Sequence, residues 1–226
     1  MNQMENEIKN ATEKAYKQIK EMIAQYQLVP GQKIAYAHLC EKLGMSKNPI
    51  INALNRLEQE EFVRSETNRG FFIREIEINE LEELYKIREV LEMLSIEEAI
   101  KNYDDEGMKE IEGIFKLLQD EQMNYFTRNR LLLDATFHLK IAKMGKNKNL
   151  LKMLKYVLEH IYLRHKIENM PPKRMITTKK EHLEIIKGIK SKKIAKAKAI
   201  TRRHILGAKI ATEEGILLAA TKLNLF

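Results

Sequence analysis

The sequence contains a single cysteine, Cys40, which excludes an internal disulfide framework. It has only four prolines and nine glycines, and it is 44% hydrophobic and 32% charged, which is typical of a helix-rich globular protein. No apolar run reaches the roughly 18 residues that a membrane-spanning helix needs. The polar residues 1–7 lack the basic stretch and apolar core of a signal peptide, so we expect a cytoplasmic protein that does not enter a membrane.

The net charge of +8 favours an anionic partner such as nucleic acid. Its distribution is uneven: residues 1–75 hold 11 Lys+Arg against 10 Asp+Glu, and residues 76–226 hold 29 against 22. Lysine-rich faces of this kind are often only solvated. Charge alone therefore does not locate a DNA-binding surface.

The pattern of the chain changes near residue 75. Before it, three short helical segments are followed by a β-like segment, and after it helical periodicity continues to the end. The sequence therefore predicts a mainly α protein with two domains, residues 1–75 and residues 76–226.

The first domain has the signals of a winged helix-turn-helix. A helix over 5–27 stops at Pro30-Gly31, and a second over 37–43 ends at Gly44, a suitable C-terminal cap. Ser46 can cap a third helix, whose buried face would be formed by Ile50, Leu54 and Leu57. Residues 62–67 and 70–74 then flank a polar tip and predict a β-hairpin.

In this arrangement the third helix enters the major groove of double-stranded operator DNA, and the wing reaches phosphate or the minor groove. Asparagine can bond adenine through two hydrogen bonds, and lysine can contact guanine or phosphate. The candidate DNA contacts are Ser46, Lys47, Asn48, Asn52, Asn55 and Arg56 on the helix and Arg69 on the wing. The alternative is a three-helix scaffold that binds only protein.

The second domain is predicted to contain six helices, over 79–101, 107–122, 126–144, 148–168, 178–189 and 194–220. Asp104 or Asp105 can cap the second of them. The connections are short, which favours antiparallel neighbours and hence an all-α antiparallel bundle.

Four residues of the second domain form a metal-like set. Asp134 and His138 are four residues apart and therefore share one face of a helix. His182 and His204 lie on the last two predicted helices, which antiparallel packing could bring together. One carboxylate and three imidazoles suit Zn, Ni or Mn and leave coordination positions open. The alternative is that these histidines are ordinary structural residues.

The first domain resembles the N-terminal domain of the GntR family. The resemblance covers almost all of it and is carried by residues 28–31, 39–50, 53–57 and 68–71. The family usually has Arg-Glu where this sequence has Ile51 and Asn52, and Lys47 stands where arginine is common. The resemblance therefore implies DNA binding but does not predict the operator sequence.

The second domain resembles the FCD ligand-binding domain of the FadR subfamily, from residue 76 to about 215, and six helices would fit its VanR-like branch. The resemblance is carried by residues 84–88, Glu92, Asp134, Phe137-His138, Asn147, Glu181-His182 and Arg203-His204. It implies that Asp134, His138, His182 and His204 bind a divalent metal and that a small carboxylate effector completes the coordination. It also places Arg88 and Asn147 at the effector, although Arg88 could instead form a surface pair with Glu92.

Together these features predict a homodimeric transcriptional regulator, acting as a repressor, whose operator binding responds to the effector. The dimer is implied by the resemblance and by operator symmetry. A metal sensor without an organic effector is a second hypothesis. A helical metallohydrolase is a third, disfavoured because no partner acid or base is placed for the chemistry and the first domain would be unexplained.

Overall fold

The computed structural model describes residues 3–120, 127–167, 170–171 and 173–223, with side chains described between residues 9 and 218 apart from residue 120. The chain forms two compact units. The first comprises Met1–Glu75 with Leu163–Lys166, and the second comprises Ile76–Tyr162 with Ile167–Phe226.

The first unit contains three helices and a small sheet. In chain order they are α1 (Gln3–Ala24), β1 (Lys33–Ile34), α2 (Tyr36–Leu43), α3 (Lys47–Gln59), β2 (Val63–Glu66) and β3 (Gly70–Ile73). The strands form an antiparallel sheet in the order β1-β3-β2, with Lys33 opposite Phe72 and Val63 opposite Ile73. The predicted winged helix-turn-helix is confirmed. Strand β1 was not predicted, because two residues are too few to show an alternating pattern.

Helix α3 buries the face that the sequence predicts: Ile50, Leu54 and Leu57 are fully buried. Ser46 occupies the position before the helix with extended backbone, but its hydroxyl makes no capping hydrogen bond. The predicted side-chain cap is therefore wrong, although the start of the helix is right. Gly44 ends α2 in the left-handed region (φ 60°), as expected for a glycine cap.

Helix α1 ends at Ala24, before the predicted residue 27. Tyr26 adopts a positive φ of 62°, and the amides of Gln27 and Leu28 both turn back to the carbonyl of Met22. This closure satisfies a free carbonyl at the helix end and turns the chain before Pro30.

The second unit contains six helices, as predicted. They are α4 (Ile78–Lys101), α5 (Asp105–Asp120), α6 (Arg128–Met144), α7 (Lys148–Leu163), α8 (Lys173–Lys190) and α9 (Ile194–Leu223). The Asp104 carboxylate accepts the Gly107 amide at 2.7 Å and so caps α5. Among the described residues, no helix is both long enough and apolar enough to cross a lipid bilayer.

Two of the predicted boundaries in this unit are wrong by five residues. Helix α8 begins at Lys173 rather than at Thr178, and the Arg174 amide bonds to the carbonyl of Pro171. Helix α7 ends at Leu163 rather than at residue 168. The predicted start of the third helix at Phe126 lies outside the described residues.

Antiparallel packing positions the site. Helix α9 runs antiparallel to α4, because Lys198 pairs with Glu97 and Lys209 pairs with Glu82. Helices α8 and α9 approach closely at Gly188, where an added Cβ would lie 3.0 Å from the Cβ of Ala197. His182 on α8 and His204 on α9 therefore both lie within about two turns of this crossing.

Candidate functional site

The four predicted metal ligands come together inside the second unit. Asp134 and His138 lie on α6, His182 on α8 and His204 on α9. One potential ligand atom from each lies within 4.8 Å of those of the other three. The three imidazoles are 1% exposed and the Asp134 side chain is 13% exposed. The spacing prediction for Asp134 and His138, and the expected approach of α8 and α9, both lead to this cluster.

Within the cluster, two pairs of ligand atoms lie close to each other. His138 Nε2 lies 3.1 Å from His204 Nε2, and His182 Nε2 lies 3.2 Å from Asp134 Oδ1. The latter contact does not meet the geometry of a hydrogen bond, so the buried His182 Nε2 has no hydrogen-bond partner among the described residues. A buried nitrogen without a partner is unfavourable unless something else uses its lone pair. A divalent metal would do so, and the donor set fits one.

Two glutamates lie behind the cluster. Glu181 Oε2 is 2.8 Å from His204 Nδ1, and Glu92 Oε2 is 2.6 Å from His138 Nδ1, although off the ideal N–H direction in the second case. A carboxylate at Nδ1 favours the tautomer with the proton on Nδ1 and the lone pair on Nε2. Both contacts therefore favour the ring state in which Nε2 can bind a metal.

The electrostatics favour the same state. Burial lowers the pKa of His204 well below its usual value, and His182 and His138 lower it further. Burial also lowers the pKa of His182. Burial alone would raise the pKa of Asp134, but the contact with His182 and the other two histidines outweigh it and hold the pKa well below its usual value. At neutral pH, His182 and His204 are therefore neutral and Asp134 is ionised, as metal binding requires.

Arg88 connects to this cluster from α4. Its Nε bonds Glu92 Oε1 at 2.6 Å and its Nη1 bonds the Tyr162 hydroxyl at 3.0 Å. Tyr162 in turn donates to Asp134 Oδ2 at 2.5 Å. The pair with Glu92 that the sequence allowed is present, but it is buried rather than on the surface. Arg88 Nη2 is buried and has no hydrogen-bond partner among the described residues.

Glu92 and Tyr162 keep the protonation states that these contacts need. Burial raises the pKa of Glu92, yet His138 and Arg88 outweigh this and lower it to about 2. Burial raises the pKa of Tyr162 well above its usual value, so the phenol stays protonated and donates to Asp134. Sequence reasoning assigned no role to Tyr162, and it considered Glu92 only as a residue that carries the resemblance and as a surface partner of Arg88.

Asn147 is placed differently. Its Oδ1 accepts the Leu150 amide at 3.0 Å, so it caps α7, and its side chain is exposed. The four metal-ligand candidates are buried by contrast. The effector role of Asn147 stays a prediction that rests on the resemblance alone.

The candidate DNA contacts lie mostly on the open face of α3. Five of them are exposed: Ser46, Lys47, Asn48, Asn52 and Asn55. The Lys47 ammonium lies 5.1 Å from the centre of the Tyr36 ring, which is a cation–π contact. Lys47 is the first residue of α3. This face is opposite the buried stripe and is therefore available to a groove.

Arg56 is engaged within the first unit. Its guanidinium binds Glu13 at 2.6 Å and Glu60 at 3.2 Å, and it stacks over the Tyr16 ring at 3.7 Å. Its side chain is still 43% exposed. These contacts join α1 to the end of α3, a structural role that the sequence did not indicate.

The wing carries Arg69 at its tip. Asn68 and Gly70 both adopt positive φ, which makes the turn tight, and Arg69 between them is 68% exposed while pairing with Glu66. The exposed guanidinium is placed as a wing contact to DNA would require.

A winged helix-turn-helix joined to an all-helical domain defines a DNA-binding transcriptional regulator. The family of bacterial regulatory proteins named for gntR matches residues 11–73, and the FCD domain family matches residues 83–207. The chain therefore belongs to the GntR family and carries an FCD domain, as in the FadR subfamily. It is a transcriptional regulator and not an enzyme, which removes the metallohydrolase hypothesis.

Relatives with assigned names agree. The chain is 30% identical over 184 residues to the Nta operon transcriptional regulator of Aminobacter aminovorans, covering 81% of this chain and 86% of that protein. It is 27% identical over 192 residues to the HTH-type transcriptional regulator YdhC of Bacillus subtilis (strain 168), covering 84% of each. The structure of E. coli McbR/YncC shares the fold, with a TM-score of 0.74, 20% identity and coverage of 87% of this chain and 93% of that one.

Proposed function

We propose that this regulator is a repressor whose FCD domain binds one divalent metal ion (Zn, Ni or Mn) and a small carboxylate effector, and that effector binding changes operator affinity. The observation that carries the proposal is the buried set of one carboxylate and three imidazoles within 4.8 Å. We further propose that DNA binding resides in residues 1–75 and sensing in residues 76–226, and that the protein acts in the cytoplasm.

Asp134, His138, His182 and His204 would hold the metal through Asp134 oxygen and the three Nε2 atoms. When bound, the metal supplies a Lewis acid that holds an oxygen ligand in its open positions. Tyr162 fixes the rotamer of Asp134 by its hydrogen bond. The chain therefore supplies the ligands and orients them, while leaving room in the coordination sphere for an effector.

Arg88 is the group that would recognise the effector carboxylate. It is connected to two metal ligands, to His138 through Glu92 and to Asp134 through Tyr162. Its Nη2 is the donor that these contacts leave available, and a guanidinium N–H bonds a carboxylate strongly in a buried site. An effector bound to the metal and to Arg88 would touch both α4 and α6.

The test is thermal melting of the protein with and without metal, in the presence of acetate, malonate or citrate. We expect about one equivalent of metal per chain and a carboxylate-dependent rise in melting temperature only when metal is bound. Arg88→Lys should keep the ion pair with Glu92 but weaken carboxylate binding about tenfold or more, the loss of one hydrogen bond to a charged group at about 1.5–3 kcal/mol. Arg202→Lys, an exposed arginine paired with Glu89, is the control.

Two outcomes of this experiment exclude parts of the proposal. Carboxylate stabilisation that is equal with and without metal would exclude the metal as the effector anchor. Metal that changes DNA affinity by itself, with no response to any acid, would favour the metal-sensing hypothesis instead.

Operator contacts are proposed for the exposed candidates of α3, namely Ser46, Lys47, Asn48, Asn52 and Asn55, and for Arg69 on the wing. Their support is exposure on one face of α3 and at the tip of the wing. Arg56 stays a prediction, because its guanidinium already binds two glutamates.

Asn52→Ala is expected to weaken binding to an operator selected from random-sequence duplexes by about 1–3 kcal/mol, the value of a side chain that reads a base. The measurement is fluorescence anisotropy at fixed salt. Gln59→Ala is the control, since Gln59 is exposed near the end of the same helix. Equal affinity of the two variants would remove Asn52 from the reading face.

Homodimerisation is proposed through the second unit. Large apolar side chains are exposed on α4 (Ile87, Val90 and Leu94) and on α9 (Leu206 and Ile210), with exposures between 41% and 69%. The two helices pack side by side, and contiguous exposed apolar surface of this kind marks interaction sites. A second copy of the same surface would cover it in a two-fold symmetric dimer.

A further inference from the structure

A second arginine–glutamate pair lies beside the metal ligands. It lies next to His204, whereas Glu92 and Arg88 lie on the side of His138. Arg174, near the start of α8, binds Glu181 on the same helix at 2.8 Å. Glu181 contacts His204 Nδ1 at 2.8 Å, and Arg174 Nη2 donates to the His204 carbonyl at 2.7 Å. Both side chains are mostly buried, at 9% and 13% exposure.

The pair acts on both ends of His204. Arg174 Nη2 also lies 3.2 Å from His204 Nδ1, but its shorter bond, at 2.7 Å, goes to the His204 carbonyl. The shorter contact of Nδ1 is with Glu181 Oε2 at 2.8 Å, and a carboxylate there favours the proton on Nδ1 and the lone pair on Nε2, which faces the other ligands. Arg174 holds the Glu181 carboxylate in that position and, through the carbonyl, holds the backbone that carries the ring. Outer contacts of this kind orient a ligand without touching the metal.

Gly207 is part of the same arrangement. It follows His204 by about one helical turn. A Cβ added to Gly207 would lie 2.9 Å from Arg174 Nη1, closer than real Cβ contacts come, and 3.1 Å from its Cζ. The guanidinium is the end of a flexible side chain, so a larger residue at position 207 would displace it from this place.

The two arginines near the site differ in their terminal nitrogens. Arg174 uses both of them, Nη1 on Glu181 and Thr177 and Nη2 on His204, and leaves only its buried Nε without a hydrogen-bond partner among the described residues. Arg88 by contrast keeps its terminal Nη2 without such a partner, and this nitrogen is the one that a ligand could bind.

We propose that Arg174 and Glu181 are positioning residues that hold His204 in the tautomer and orientation in which its Nε2 binds the metal, and that Gly207 is required because it makes room for Arg174. This inference rests on the proposed metal site and adds to it three residues that touch no metal.

The test compares the Zn²⁺ affinity of full-length Glu181→Ala and Gly207→Ala by competition with a chelator. Each should bind Zn²⁺ about 10–100-fold more weakly than the wild type, the usual effect of losing an outer contact to a ligand. Glu184→Ala is the control for the first, because Glu184 lies on the same helix and pairs with exposed Arg203. Gly113→Ala is the control for the second, because nothing lies within 4 Å of the position of its added Cβ.

Gly207→Ala keeps the proposal testable even if Glu181→Ala folds poorly. Alanine favours helix over glycine, which offsets part of the cost of displacing Arg174, so metal-free Gly207→Ala should stay folded while losing Zn²⁺ affinity. A second readout is the ¹⁵N spectrum of the metal-free protein. His204 should carry its proton on Nδ1 in the wild type, and Glu181→Ala should give a mixture of tautomers.

The outcomes separate this proposal from the metal site. Wild-type Zn²⁺ affinity in both Glu181→Ala and Gly207→Ala, with His204 unchanged in the ¹⁵N spectrum, overturns the positioning role and leaves the metal site intact. A wild type that binds no Zn²⁺ overturns the metal site, and the positioning role falls with it.

Discussion

Alanine in place of His204 is expected to reduce Zn²⁺ affinity by roughly a hundredfold to a thousandfold. Structural zinc sites bind with roughly 10–16 kcal/mol shared among four ligands, so each ligand contributes about 2.5–4 kcal/mol. His204 is fully enclosed and its Nε2 lies 3.1 Å from that of His138, so none of its contribution is screened by solvent. His182→Ala should have an effect of similar size.

The measurement is metal content after dialysis, together with the rise in melting temperature on adding Zn²⁺, Ni²⁺ or Mn²⁺. The wild type should retain about one equivalent and be stabilised by metal, and both variants should lose the metal and the stabilisation. His38→Ala is the control, because His38 is exposed on α2 in the first unit. Retention of metal by His204→Ala and His182→Ala would show that the metal binds elsewhere. A wild type that takes up none of the three metals would leave the cluster without its proposed role.

The parts of the fold that depend on regular patterns could be predicted from the sequence. The periodic burial of Ile50, Leu54 and Leu57 identified α3, and six helical segments gave the second unit its architecture. The i, i+4 spacing of Asp134 and His138 put two ligands on one face, and short connections predicted that His182 and His204 would approach each other. Each of these rests on local periodicity or on one packing rule.

The contacts behind the ligands could not be predicted in the same way. Arg174 reaches His204 across two helices, and Tyr162 reaches Asp134 from α7. No spacing marks such pairs, because they depend on how helices are rotated against one another. The role of Arg56 could not be predicted for the same reason, since its partner Glu13 lies on another helix, α1. The late start predicted for α8 has a local cause, since the sequence has prolines at positions 171 and 172 and proline is tolerated where a helix begins.

An aspartate in place of Val90 is expected to convert the protein from dimer to monomer. Val90 is 69% exposed on α4 and adjoins Glu89, which pairs with Arg202 of α9. On α9, Leu206 lies one turn beyond Arg202, and Ile210 follows Lys209, which pairs with Glu82 of α4. The apolar side chains thus border the ion pairs that join the two helices. A carboxylate there would be buried without a partner in a two-fold interface, and the symmetry would bury two of them.

Sedimentation equilibrium measures the expected change. The wild type should sediment as a dimer at micromolar concentration, and Val90→Asp should raise the dissociation constant at least a hundredfold, since an uncompensated buried charge costs about 3–5 kcal/mol. Ile176→Asp is the matched control, because Ile176 is 65% exposed on α8, a helix that contributes none of the residues of this surface. Both variants keep the α3 face and the metal ligands. Val90→Asp should therefore bind metal like the wild type yet lose affinity for a two-half-site operator, because a monomer presents only one reading helix.

If Val90→Asp and Ile176→Asp sediment alike as dimers, the two copies meet through another surface. If the wild type is itself a monomer, two copies must assemble on the two half-sites of the operator DNA. A different partner must then cover the apolar face of α4 and α9.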